Sequence, residues 1–321
     1  MIIPNFKFFK KIDNSPIRSL LFKGLAIVYF MALLSLLSQF DGLFSSKGIL
    51  PISSYISYLI SILGDDYISK VPTLFYVYSG DVFIKLCLVF GLVCSVILFL
   101  GRAPFYMLLS LWVLYLSVVN VGQAFLSFQW DILLIEVGFI AILMAPIKIG
   151  QFDFNRTVPK VVIWALRLVL FRVMISSALV KWGSNDLNWQ NFTALDYHYW
   201  TQPLPHILAF YVEKLPHWIH KGSVIVMLLI EAVVPFLIFF GRKGRLTAAI
   251  LFTILMECVF WTGNYGFFNI LIVVMCISLF DEPDHVKNND SKLLFFKLSK
   301  TIIPCSLIVL GLSLELARFT P

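Results

Sequence analysis

The chain has 321 residues, 60% hydrophobic and 13% charged, with a formal net charge of +7 and 31 phenylalanines. Soluble domains average about 25% charged and 45–50% apolar residues, so this composition excludes a soluble globular protein and defines an integral membrane one. The basic excess does not point to nucleic acid, because Lys and Arg of multi-pass proteins gather in cytoplasmic loops as a topology signal.

Apolar runs of about 17–25 residues read as membrane helices. Taken in order they lie near 19–40, 82–100, 104–122, 128–146, 160–181, 222–240, 246–262, 264–280 and 301–317. The first follows Lys7, Lys10, Lys11 and Arg18, as a signal sequence would. Its run is long and no small-residue cleavage site follows, which predicts a retained signal-anchor. Asp131–Pro146 is short and is expected to borrow Phe125–Trp130 to cross. Two further segments, Ile49–Leu63 and His206–His220, mix polar and apolar residues and predict interfacial or re-entrant pieces. The expected fold is therefore all-α: a polytopic bundle of about nine transmembrane helices, with interfacial or re-entrant helices on the extracytoplasmic side. It forms one transmembrane domain over residues 1–321, without a separate soluble domain.

Parity orients it. With nine spans and a cytoplasmic N-terminus, fifteen Lys and Arg fall inside and six outside, and Gly241–Arg245 makes a tight basic inside turn. That is a positive-inside pattern. Reading Ile49–Leu63 as a span would invert every later loop and destroy it. Loops 41–81, 123–130, 182–221 and 263–266 then share the extracytoplasmic face, which is the lumen in a eukaryote or the periplasm in a bacterium.

Three polar, aromatic stretches stand on that face: Gln123–Asp131, Thr193–Pro205 and Thr262–Asn269. Leu, Ile, Val and Phe suffice to cross a bilayer, so such specific residues are expected to build a site. The candidates are Gln123, Gln129, Trp130, Asp131, Asp196, Tyr197, His198, Tyr199, Gln202, Asn264, Tyr265 and Asn269. Charges inside spans are costly and need partners. Among Lys23, Lys85, Glu136, Arg167, Arg172, Glu231 and Glu257, the residues Glu136, Arg167, Arg172 and Glu231 either fix packing or floor a polar cavity. Pairing of Glu136 with Arg167 and Glu231 with Arg172 is one expectation for the packing case.

His217 and His220 are one helical turn apart and would suit a metal only if a carboxylate joined them. No zinc-binding pattern is present, so no metal and no cofactor are expected. The five cysteines all lie in apolar runs without a C-x-x-C pair, which predicts neither a disulfide framework nor thiol chemistry. Asn191-Phe192-Thr193 is a glycosylation sequon. The aromatic belt of Trp182, Trp189, Trp200 and Trp218 reads as an interfacial anchor.

The runs Gly122–Glu136, Leu166–Arg172, Ala194–Pro205, Glu231–Phe240 and Thr262–Asn269, in that order, resemble the lipase maturation factor family across roughly residues 19–317. The resemblance implies a multi-pass protein of the endoplasmic reticulum membrane that helps secreted lipases, notably lipoprotein lipase, reach an active dimeric form. Bacterial relatives without an assigned client would place it in the inner membrane. A more distant likeness, in helix count and outward loops, is to the membrane part of vitamin K-dependent carboxylases. Better-known members continue into a large lumenal domain, so this chain is expected to be a short form ending at Pro321.

Three functions follow as expectations. The first is a membrane-embedded maturation factor or chaperone whose partners are membrane lipids and a lipase-like secretory client, with no chemistry done. The second is an integral-membrane enzyme on a lipid- or quinone-like substrate, with Asp196, His198 and Glu136 as acid–base groups and Arg167 or Arg172 holding an anionic head. A transporter ranks last, because no Gly/Pro-broken half-helices stand out.

Overall fold

The computed structural model describes residues 15–147, 149–150, 158–202 and 206–280. Its α-helices are α1 (Ser15–Leu43), α2 (Ile52–Leu63), α3 (Tyr67–Lys70), α4 (Asp81–Phe99), α5 (Pro104–Val121), α6 (Gln129–Met144), α7 (Lys160–Gly183), α8 (Leu187–Gln190), α9 (Ala194–Thr201), α10 (Ile207–Glu213), α11 (His217–Ala232), α12 (Gly241–Thr262) and α13 (Phe268–Cys276). Among the described residues six stretches are long and apolar enough to cross a membrane: Ile17–Leu43, Asp81–Phe99, Pro104–Val121, Lys160–Gly183, His217–Phe239 and Gly241–Thr262. The chain is a multi-pass helical membrane protein.

Those six match six of the nine expected spans. The runs at 128–146 and 264–280 also form helices, but shorter ones. α6 has 16 residues, about 24 Å at 1.5 Å per residue, against a hydrocarbon core of about 30 Å. Phe268–Leu279 combines α13 with a 3-10 turn. The expected span 301–317 and the basic residues before Ser15 lie outside the described residues.

Local geometry explains two departures from expectation. α6 does not extend back over Phe125, because Gln123 adopts φ +50 and Gln123–Leu126 closes as a 3-10 turn. α11 starts at His217, before the expected position 222. Pro216 does not break it but caps it, with φ −55 and ψ 142, at the helix end where a missing N–H goes unfelt.

α1 packs along α4, α5 bridges α4 and α6, and α7 lies between α6 and α11. α13 closes the bundle against α1, α7 and α12. α6 buries Leu133, Leu134, Val137, Ile140 and Ala141. At Gly138 a Cβ would collide with the Tyr29 hydroxyl, so glycine on α6 leaves room for the buried Tyr29 side chain of α1. Exposed apolar residues such as Leu86, Phe90 and Val93 on α4 and Ile250 and Ile254 on α12 suit acyl chains rather than water.

Hydrogen bonds gather the long connections at one end. The Asp81 carboxylate accepts from Ser46 N at 3.0 Å and Ser46 Oγ at 2.7 Å, and Lys85 pairs with Asp41 at 2.6 Å. The Thr73 hydroxyl donates to Ser117 O at 3.0 Å, and Asn120 Nδ2 donates to Pro72 O at 2.7 Å. The loop from α1 to α4 is thus stapled over the C-terminal end of α5. The cap described next covers the same end.

Candidate functional site

α9 and α10 lie across the ends of α11 and α12. Asp196, in the first turn of α9, holds two histidines of α11: its carboxylate is 2.7 Å from His217 Nδ1 and 2.9 Å from His220 Nδ1. The second nitrogen of His220 is 3.0 Å from Val212 O, at the end of α10. One carboxylate and one imidazole therefore fasten three helices together. The carboxylate does join the two rings, but as their direct hydrogen-bond partner. Among the described residues no group of three or more His, Cys, Asp or Glu is arranged to hold a metal.

The second and third stretches meet beside this clamp. Gln202 Nε2 donates to Thr262 O at 3.0 Å. Tyr265 Oη lies 2.9 Å from His198 Nε2, with the rings parallel at 6.3 Å. The Tyr199 ring meets those of His198 and His220 in edge-type contacts, with centroids 5.9 and 5.6 Å apart.

Beneath the cap is a cavity of about 230 Å³ between α7, α9, α11, α12 and α13. Met174, Ser177 and Lys181 enter from α7, Met227 and Glu231 from α11, and Met256, Val259 and Thr262 from α12, under His198 and Tyr265. Lys181 Nζ reaches both Glu231 oxygens at 2.6 and 2.7 Å and lies 5.6 Å from the Trp189 ring. Asn269, 2% exposed, lines the same space, and neither its side-chain nitrogen nor its oxygen has a partner. Such a pair of free amide atoms suits a group that both donates and accepts.

A second cavity, about 400 Å³, opens on the other side of the 263–267 turn, between α1, the Gln123–Leu126 turn and the start of α6. Trp130, Phe125, Phe128 and Phe267 line it with Asp131. Asp131 is 1% exposed and accepts from Tyr115 Oη at 2.6 Å, while its other oxygen has no partner. Trp130 faces Phe268 across the dividing turn at 6.5 Å.

The three stretches therefore share one end but line two cavities. Of the expected residues, His198, Tyr265, Glu231 and Asn269 line the smaller, with Gln202 and Asp196 securing its roof. Trp130 and Asp131 line the larger. Gln123 and Gln129 reach neither, and Tyr197 and Asn264 are exposed. The intramembrane pairing differs from expectation. Arg172 binds Glu136, with Nη1 at 3.1 Å from Oε1 and Nη2 on Oε2, and Glu231 takes Lys181. Arg167, five residues before Arg172 and so turned roughly 140° away, donates to Ser278 O at 3.0 and 3.2 Å and lies over Trp164. Of the other expected intramembrane charges, Lys23 lies over the Phe99 ring and Glu257 is exposed. The four described cysteines are free thiols, and Cys305 lies outside the described residues.

Sequence reading missed Lys181, Ser177, the three methionines and Tyr115. The signal for Lys181 existed: Met174, Ser177 and Lys181 recur at helical spacing on one face of α7.

Burial, and then the Lys181 ammonium, push the His198 imidazole below its ordinary value. The unfolded chain, with histidine near 6.5, then binds more protons than the folded one just below that pH. Stability from this group is complete above about 6.5 and falls as pH drops through the window beneath it. Melting measured between about pH 7.5 and 5 should fall more steeply for wild type than for His198→Gln; parallel curves would refute this.

The fold and the site define a polytopic helical membrane protein whose polar and aromatic side chains converge over two cavities at one end. Residues 16–287 match the lipase maturation factor transmembrane domain, and the chain belongs to the lipase maturation factor family. It is similar to mouse (Mus musculus) lipase maturation factor 1, 32% identical over 83% of this chain and 48% of the relative. It is also similar to chicken (Gallus gallus) lipase maturation factor 2, 38% identical over 83% of this chain and 38% of the relative. Rat (Rattus norvegicus) lipase maturation factor 2 is 37% identical over 94% of this chain and 45% of the relative. The chain spans half or less of the length of these relatives. No solved structure matches it.

Proposed function

We propose that this chain is a membrane-embedded maturation factor whose capped end faces the extracytoplasmic side and assists the folding or assembly of secreted, lipase-like clients. The observation that carries this reading is the family match over residues 16–287, which includes every residue of the cap. The relatives' names supply the activity, and the positive-inside count supplies the orientation. In a eukaryote that face is the endoplasmic reticulum lumen; in a bacterium it is the periplasmic side of the inner membrane.

The cap has surface suited to holding a client rather than transforming one. Tyr197, Trp200, Phe210, Tyr211 and Trp218 are all more than half exposed, and large aromatic side chains give contact area at little entropic cost. The three methionines below supply an adaptable apolar lining.

The test is the activity of secreted lipases in host cells lacking this chain, complemented with wild type or with His198→Ala plus Gln202→Ala. The expected result is that lipase activity falls on deletion with lipase synthesis unchanged. Wild type then restores it, and the double variant, present at the same level, does not. Lipase activity indifferent to deletion would sink the proposal.

A further inference from the structure

The geometry points to the larger cavity as a binding site for a single-chain amphiphile with an ammonium head, taken from the bilayer and held by Asp131. This inference does not rest on the maturation reading, and an indifferent lipase assay would leave it standing.

The acidic anchor comes first. Asp131 is almost wholly buried, and its partnered oxygen accepts the Tyr115 hydroxyl at 2.6 Å. It occupies the first turn of α6, where the helix dipole favours a negative charge. Yet among the described residues no Lys or Arg lines the cavity, no ion pair involves Asp131, and its second oxygen has no partner. A buried carboxylate with no cation beside it is costly to ionise, since buried charges are normally paired. A ligand bringing a positive donor to that oxygen would supply what the protein leaves out.

The walls select the remainder of the ligand. Phe44, Phe125, Trp130 and Phe267 line the space, and aromatic rings attract a cation as well as alkyl groups. A phosphate beside the ammonium would find no cationic partner among the described lining residues, which disfavours a zwitterionic phospholipid. The volume of about 400 Å³ falls in the range of small-ligand pockets, about 300–1,000 Å³. It accommodates one chain rather than two.

The mouth sets the route of entry. Met31, Ser35 and Gln39 lie four residues apart along one face of α1, all exposed, and all line the cavity. α1 is long and apolar enough to span the membrane, so this face meets acyl chains. The ligand arrives from the bilayer.

The test uses the full chain in phosphatidylcholine nanodiscs, with dodecylamine, dodecanol and dodecanoic acid as probes and bound ligand counted by native mass spectrometry. Wild type should bind one dodecylamine per chain, saturably. Dodecanol and dodecanoic acid should bind no more than to empty nanodiscs. Asp131→Asn should weaken amine binding at least tenfold. Met31→Trp, which fills the mouth without touching the carboxylate, should weaken it as well, and it decides the matter if Asp131→Asn fails to fold. Equal binding of all three probes, or amine binding unchanged in a folded Asp131→Asn or in Met31→Trp, overturns the inference.

Discussion

Glu136→Leu is expected to destabilise the folded chain by about 3–5 kcal/mol, because it strands a buried arginine. The side chains of Arg172 and Glu136 are 7% and 12% exposed and form a two-pronged pair joining α7 to α6. Removing one partner leaves an uncompensated charge. Replacing both by apolar residues of similar volume removes the charge problem altogether, and such double replacements are often neutral. Glu136→Leu with Arg172→Leu should therefore recover most of the loss, a strong departure from additivity. Reversible unfolding in one detergent, compared across the two single variants and the double, measures this. A double variant as unstable as the sum of the singles would show that each residue serves something beyond the pair.

Lys181→Met should have the next largest effect, about 3 kcal/mol, at the low end for a broken buried pair, because the Lys181 side chain is 20% exposed while Glu231 is 7% exposed. This pair sits in the smaller cavity, so its reversal separates structure from function. Lys181→Glu with Glu231→Lys keeps one charge of each sign and should regain stability. It moves the ammonium away from Trp189 and His198, so under the proposed function the reversed pair should not restore lipase maturation. If the reversed pair restores both, the salt bridge serves packing alone.

The long helices were legible because an apolar run of 18 or more residues has few other fates in a membrane protein. Their ends were less so. Pro216 looks like an interruption in sequence and works as a helix start, and Gln123 gives no sign of its positive φ. The partners of the buried charges were least legible. Which arginine meets Glu136 depends on how α7 is rotated against α6, and composition does not record rotation. The three polar stretches stood out in sequence by residue type, and contacts such as Gln202 with Thr262 and Trp130 with Phe268 bring them near one another. That the 263–267 turn would stand between two cavities follows from how α12 and α13 pack, which no residue type announces.

α6 raises a question of assembly during synthesis. It has only 16 residues, with Asp131 in its first turn and Glu136 near its midpoint. An acidic residue at the middle of a helix entering a bilayer opposes insertion by about 2.5–3.5 kcal/mol. The cation that neutralises Glu136 belongs to α7, which leaves the ribosome later. Glu136 thus offsets much of what the apolar residues of α6 gain on entering lipid, until Arg172 arrives to pair with it. The order in which helices emerge, and not only their final packing, constrains where this chain can keep its charges.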